Sequence, residues 1–298
     1  HVILPSMNRV VISVYEVLKQ AQKDPDYKVI VFFPVARLVA YFEELLSDAL
    51  GMDNVWGIHS RKTQGARNRV SEEFRKTKSG ILLSSDVSAR GVDYPDVTHV
   101  IQCGLPDSKE QYIHRLGRTG RGGKEGKGWL VLAPFEASFV KQDLRDVDCP
   151  RDEALDAMFS ERPEQEHLDF IFPGLKKVQG TSDLRKTARL AYSAWLGYYL
   201  GNTKRLGMRK EDMVGCANDF AKYAGLAEQP TLTPNLARKM GLAGVNGIIL
   251  AQDTDDDKPR RGGGGRGGGG GGGNRNGASR GGGRGDNRSP SRDDRRRR

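Results

Sequence analysis

The stretch KVIVFFPVARLVAYF, residues 28 to 42, decides the reading of the fold. KVIVFF is a short, nearly continuous run of β-branched and aromatic residues, as in a strand buried on both faces, and Pro34 breaks it before a more helical continuation. With Pro34 and Arg37 inside it, the stretch falls short of the roughly 20 apolar residues a bilayer crossing needs, so it reads as strand, turn and helix. The same alternation runs outward along the chain. VIL (2–4), NVWGI (54–58), GILLSS (80–85), THVIQ (98–102) and GWLVLA (128–133) read as further buried strands. Between most of them apolar residues recur at intervals of three and four, as at Val10, Val14, Val17 and Leu18. Alternating strands and helices predict an α/β domain with an open parallel sheet covered on both faces, whose ligands gather at the carboxyl ends of the strands.

The 298 residues are 37% hydrophobic and 29% charged, which suits a globular protein of one or two domains and no membrane span. The net charge of +10 is not spread evenly. Residues 258–298 hold 13 Lys and Arg against 3 Asp and Glu, and residues 1–257 hold 35 against 35. A neutral body must gather its basic groups locally to bind a polyanion, whereas the tail can bind one through its field. Cys103, Cys149 and Cys216 are odd in number and lack any CxxC, so neither a disulfide framework nor a zinc site is expected and a reducing compartment is. The chain opens at His1 with neither an initiator Met nor a signal peptide, from which a fragment or processed product is expected.

After about residue 136 the strand pattern stops. Thr181 and Ser182 can cap a helix whose Leu184, Ala188, Ala191, Trp195 and Tyr198 recur at four, three, four and three, and a second helix is expected over residues 210–224. The spacing of Trp195, Tyr198 and Tyr199 is that of a buried stripe more than of a base-stacking surface. From about residue 253 the chain becomes DTDDDKPRRGGGGRGGGGGGG and ends in DDRRRR, a composition that cannot bury enough apolar surface to order itself. Three parts are therefore expected: 1–140 with the sheet, an all-α extension over 141–252, and a disordered tail over 253–298.

Three constellations carry chemistry. In YIHRLGRTGRGG (112–123), Asp107 or Ser108 can cap a helix with Glu110 or Gln111 three residues later, and Arg115, Arg118 and Arg121 follow at intervals of three. If the turn persists, Arg118 and Arg121 are neighbours, and Gly117, Gly120 and Gly122 admit a phosphate closely. Arginine suits this task because its planar fork holds two phosphate oxygens and stays charged; a solvated basic helix end is the bland alternative. In SSDVSARGVDYP (84–95), following a strand, Ser85 and Arg90 can donate to phosphates and Asp93 can accept from ribose hydroxyls, against the alternative of an ordinary Asp- and Gly-rich turn. In HSRKTQGARNRVSEEFR (59–75), Thr63 caps a helix whose Ala66, Val70 and Phe74 face inward, leaving Gln64 and Arg67 on the outer face of its first turn. There they suit a phosphate backbone, although taken singly these charges describe a solvated face.

In this order VIVFFPVAR, HSRKTQGAR, LLSSDVSARGVDYP and YIHRLGRTGRGG resemble motifs IV, IVa, V and VI of the DEAD-box RNA helicases, over residues 1 to about 140. The extension through NLARKMGLAGVNGI, the RGVDYP variant and the arginine-rich tail are similar to the fungal mitochondrial DEAD-box RNA chaperones of group I and group II intron splicing. The resemblance implies a second RecA-like domain. In it Arg118 and Arg121 reach the γ-phosphate of ATP, Arg121 as an arginine finger, and Asp93 holds the ribose. His114 and Arg115 couple the nucleotide cleft to RNA, while Gln64, Arg67, Ser85, Arg90 and Gly91 grip the RNA backbone. Val35 stands where motif IV has Thr, and Ser60 where Gly follows the motif IVa histidine. By the same resemblance the extension packs on this domain along the RNA path.

No GxxxxGK[ST] loop, DEAD run or SAT is present in the sequence. The expectation is half of an ATPase: ATP with Mg2+ held mainly by a missing first RecA-like domain, the fragment alone inactive and weakly bound to RNA duplex. The partners implied are structured RNA and that first domain, in a monomeric protein of the mitochondrial matrix. A non-catalytic RNA-binding scaffold and half of a DNA helicase are the alternatives. The RGG runs beginning at Arg261, Arg266 and Arg280 suit sequence-independent contacts to RNA.

Overall fold

The computed structural model describes residues 1–86, 93–121, 125–161 and 164–252. Arg90, Gly91 and Gly122, together with the glycine- and arginine-rich tail from residue 253, lie outside the described residues.

Strand β1 (Val2–Ile3) leads through a short 3-10 turn into α1 (Val10–Ala21), and β2 (Lys28–Phe32) leads into α2 (Ala36–Glu44), which continues as a wider turn over Leu45–Ala49. There follow β3 (Val55–Ile58), α3 (Gln64–Lys76), β4 (Gly80–Ser84), β5 (His99–Cys103), α4 (Lys109–Leu116) and β6 (Lys127–Leu132). The sheet runs β1-β6-β5-β2-β4-β3 with every pairing parallel, the RecA-like open sheet that the motif order implies. Because successive side chains of a strand point to opposite faces, KVIVFF feeds two cores at once. Val29, Val31 and Phe33 join one cluster; Ile30 and Phe32 join the other. The second cluster is closed by α3, whose Phe74 ring meets Trp56 and Tyr94 edge-on at centroid distances of 6.1 and 5.1 Å.

The first face is covered by α1, α2 and the extension. The extension comprises α5 (Ser138–Gln142), α6 (Glu153–Glu161), α7 (Glu164–Gly180), α8 (Ser182–Leu206), α9 (Lys210–Tyr223) and α10 (Pro234–Lys239). Tyr192, Trp195, Leu196 and Tyr199 of α8 belong to the same buried cluster as Val29 and Val31, so residues on both sides of position 140 share one core. Trp195 lies flat against Phe220 of α9, centroids 5.6 Å apart at 7°. The helix ends are tied down by polar contacts: the Tyr41 hydroxyl donates to the Ala224 carbonyl at 3.0 Å and Thr187 donates to Glu44 at 3.1 Å.

Two details depart from the sequence reading. The extension is not wholly helical, since β7 (Thr231–Leu232) and β8 (Ile249–Leu250) form a small parallel pair. Two-residue strands are too short to show a period in sequence. Tyr198 is only partly buried, and the stripe is completed by Tyr199. Position 198 lies at the stripe's edge, where the ring reaches past the core to the loop after β5.

Candidate functional site

The carboxyl ends of β2, β3, β4 and β5 open on one edge of the sheet, and the three constellations meet there. After β5, Ser108 caps α4 by accepting from the Gln111 amide at 3.2 Å, while the Gln111 side chain accepts from the Asp107 amide at 2.6 Å. The box is therefore shared between Asp107 and Ser108. Helix α4 ends at Leu116, but one more turn follows, with the Arg118 amide donating to the Arg115 carbonyl at 3.1 Å and the Thr119 amide to the Leu116 carbonyl at 3.2 Å.

That turn sets the arginines. Arg118 Nε donates to the His114 carbonyl at 3.1 Å and Arg121 Nε to the Gly117 carbonyl at 2.8 Å, each guanidinium leaning back four residues. Arg121 also pairs with Asp93, across the gap from the loop after β4. Burial and then the neighbouring Arg121 charge hold the Arg118 guanidinium below its ordinary pKa, with Asp93 opposing. Two like charges held this close, with one exposed carboxylate between the segments, form an acceptor for a polyanion, whose binding relieves their repulsion.

Arg115 points the other way. Its side chain is 1% exposed, its guanidinium carbon lies 5.3 Å from the centre of the Phe32 ring, and Asp86 Oδ1 accepts from both Nε and Nη2 at 2.9 and 2.7 Å. His114 is exposed, one residue before this anchor. Ser85 is buried at the end of β4, its amide bonded to the Ile58 carbonyl at 3.3 Å, so the loop after β4 is tied to both β3 and α4.

On the far side of the edge, Thr63 caps α3 by accepting from the Ala66 amide at 3.3 Å. Gln64 is exposed and bonded to Asn68 at 2.7 Å, and Arg67 is half-buried with its Nε unpartnered among the described residues. The positions singled out from sequence thus fall in three places. Asp93, Arg118 and Arg121 cluster at one end, Gln64 and Arg67 lie on α3, and Ser85 and Arg115 form the buried floor that joins them.

Sequence reasoning passed over a further basic group. His59 lies at the end of β3, with its pKa held below the ordinary imidazole value by burial, then by the charges of Lys62, Arg37 and Arg61. Arg37 is lowered in turn by burial and by Arg61. Arg37, Arg61 and Lys62 therefore surround His59, opposed by the Glu43 carboxylate, which is paired with Lys62 at 2.7 Å. The legible signal was the run of His59, Arg61 and Lys62 directly after β3.

For ATP with Mg2+, the group the motif resemblance implies, the residues present fit the polyphosphate and ribose: two adjacent guanidiniums and an exposed carboxylate. Among the described residues no group of three or more His, Cys, Asp or Glu could hold a metal ion.

Residues 10–123 match the helicase conserved C-terminal domain. The chain is 46% identical over 235 residues, 78% of its length and 41% of the relative's, to the DEAD-box ATP-dependent RNA helicase 26 of Oryza sativa subsp. japonica. It is 37% identical over 233 residues, 77% of its length and 40% of the relative's, to the mitochondrial ATP-dependent RNA helicase MSS116 of Phaeosphaeria nodorum. It thus spans about two fifths of the length of these curated relatives. In fold it is similar to Mss116p DEAD-box helicase domain 2, solved bound to an RNA duplex, with a TM-score of 0.66 at 23% identity over 85% of this chain and 98% of that one. Residues 10–123 thus carry a helicase conserved C-terminal domain, and the chain is a homologue of the DEAD-box RNA helicases over about 235 of its residues.

Proposed function

We propose that the chain is the carboxyl-terminal half of an ATP-dependent RNA helicase and RNA chaperone that separates short duplexes by local strand bending. The observation that carries this reading is the meeting of Arg118, Arg121 and Asp93 at the open edge of the sheet, with the Gln64 and Arg67 face of α3 beside it. Residues 1–140 serve as the second RecA-like domain, 141–252 as an extension along the RNA path and 253–298 as an RNA tether. A first RecA-like domain outside these 298 residues holds ATP and Mg2+, and the bound Mg2+ neutralises charge developing on the phosphates. This chain's own contribution is positional and electrostatic. Arg121 and Arg118 meet the γ-phosphate across the interdomain cleft, and Asp93 accepts from the ribose hydroxyls.

RNA is held by Gln64 and Arg67 at the start of α3 and by Ser85, Arg90 and Gly91 after β4, while His114 and Arg115 relay its presence to the arginines. Contacts to 2′-hydroxyls favour RNA over DNA. Mss116p domain 2, which is similar in fold, was solved on an RNA duplex, and this supports duplex as the ligand of the isolated chain. Alone, the monomeric chain binds duplex weakly and hydrolyses no ATP. Likeness to a mitochondrial relative supports a mitochondrial place, and the resemblance of the extension and tail to the fungal RNA chaperones supports the matrix and intron splicing.

The test is to supply the first domain and compare RNA-stimulated ATPase with and without Arg121→Ala. Turnover is expected to fall by about 10³ to 10⁵ while RNA binding is retained. Unchanged turnover overturns the arginine assignment, and preference for DNA over RNA duplex in competition overturns the substrate class.

A further inference from the structure

The arginines sit on a short helix, and that helix is held at its start by the extension. The loop from Gly104 to Ser108 joins the end of β5 to α4, and side chains of α8 engage every carbonyl from Leu105 to Asp107. The Tyr198 hydroxyl lies 2.7 Å from the Leu105 carbonyl and 2.8 Å from Asp107 Oδ1. Arg205 Nη1 donates to the Pro106 and Asp107 carbonyls at 3.1 and 2.9 Å. Its Nη2 donates to Asp143 at 2.8 Å, and its guanidinium carbon lies 5.1 Å from the centre of the Phe139 ring, so the fork is itself fixed. Between them the Tyr199 hydroxyl accepts from the Leu105 amide at 3.5 Å and donates to the buried Glu136 at 2.6 Å. The approach is close enough to require glycine at position 104: its φ is +86°, and an added Cβ would lie 2.7 Å from the Tyr199 hydroxyl oxygen.

Helix α4 therefore has an anchor at each end, besides the buried Tyr112 in its middle, whose carbonyl accepts from Gln102 at 3.1 Å and whose hydroxyl donates to Cys149 at 3.4 Å. One is the Arg115–Asp86 pair near its end, and the other is this loop at its beginning. At about 1.5 Å per residue an eight-residue helix is about 12 Å long, so with the loop released its start keeps the partly exposed Lys109–Asp146 pair but can shift about Tyr112 and Arg115. Arg118 and Arg121 are bonded to carbonyls of α4 and of the turn that follows it, and they move with it.

We infer that Tyr198 and Arg205 of α8 are positioning residues for ATP hydrolysis, holding the start of α4 so that Arg118 and Arg121 meet the phosphates. The inference rests on the proposed role of those two arginines. It gives the extension a part in the ATPase step beyond its place along the RNA path. Neither side chain touches the nucleotide. Misplacement of a catalytic group by about 1 Å can cost about 100-fold in rate, which sets the size of the effect to look for.

The test uses the complete two-domain protein with Tyr198→Phe, Arg205→Gln, the pair combined, and Arg205→Lys. The double variant is expected to lower RNA-stimulated kcat by about 10- to 100-fold. Its RNA affinity and cooperative unfolding should stay near those of the wild type, and amide exchange over α4 should quicken. Arg205→Lys, which can still reach one carbonyl, should recover part of the rate. Tyr198→Phe removes a single hydroxyl and keeps the test open if the double variant does not fold. Unchanged kcat in a protein whose turnover Arg121→Ala abolishes overturns the inference and spares the arginine reading. If Arg121→Ala itself leaves turnover intact, the arginine reading fails instead. A parallel fall in kcat and RNA affinity, with no recovery by lysine, overturns the inference in favour of a general structural role.

Discussion

Arg115 and Asp86 join α4 to the end of β4 through a single carboxylate oxygen that accepts from both Nε and Nη2. The guanidinium is fully buried against Phe32, while the carboxylate is partly open to solvent. Removing one member of such a pair leaves a buried charge uncompensated, which costs about 3 to 5 kcal/mol. Asp86→Ala, which leaves the buried Arg115 guanidinium unpaired, is therefore expected to destabilise the chain by that order in chemical denaturation, whereas Arg115→Ala leaves a partly exposed carboxylate and acts mainly through its lost packing on Phe32. Equal stability of Asp86→Ala and wild type would mean that the pair contributes nothing to the fold. The exposed Arg121–Asp93 pair should contribute under about 1 kcal/mol to stability, so loss of function on breaking it is not loss of fold.

Glu136 makes stability depend on pH. Burial pushes its carboxyl up to about 7, against the opposing hydrogen bonds from Tyr199 and from the Ala133 and Leu105 amides. A folded pKa above the unfolded value of about 4.3 means that the folded state binds the extra proton between those values. The associated stability, on the order of 4 kcal/mol, is fully present below about pH 4.3 and is lost as pH rises through about 7. Thermal melts of wild type and Glu136→Gln should differ by an amount that changes across this window and is constant outside it. Parallel curves throughout would show that the carboxyl titrates alike in both states.

Trp195 is a core residue, 2% exposed and stacked on Phe220. Trp195→Ala is expected to cost about 3 to 5 kcal/mol through the cavity it leaves. RNA affinity measured well below the melting temperature should not change by more than about twofold, because the ring does not reach the surface. A large loss of affinity at unchanged stability would identify a stacking surface after all.

The +10 charge of residues 258–298 predicts the last experiment. Deleting them should weaken RNA binding and flatten the plot of log affinity against log salt, by roughly 0.7 to 0.9 for each phosphate that the tail no longer neutralises. A slope that does not move would leave the tail without a part in binding.

Much of this was legible in the chain because it depends on local chemistry. The continuous apolar run in KVIVFF names a strand buried on both faces, Thr63 and the pair Asp107–Ser108 name the starts of α3 and α4, and the 4-3-4-3 spacing names α8. Each is a period or a cap that a few neighbouring residues specify. The arginines at 115, 118 and 121 were legible as a group, but their spacing does not say which of them faces inward. The tertiary structure decided that, because Arg115 alone lies over Phe32 and within reach of Asp86, 29 residues earlier in sequence. It also decided the contacts of Tyr198, Tyr199 and Arg205 with a loop more than 90 residues away. Those hydrogen bonds leave no period in sequence, since they exist only once the extension has buried its apolar stripe against the sheet and brought α8 to the end of β5.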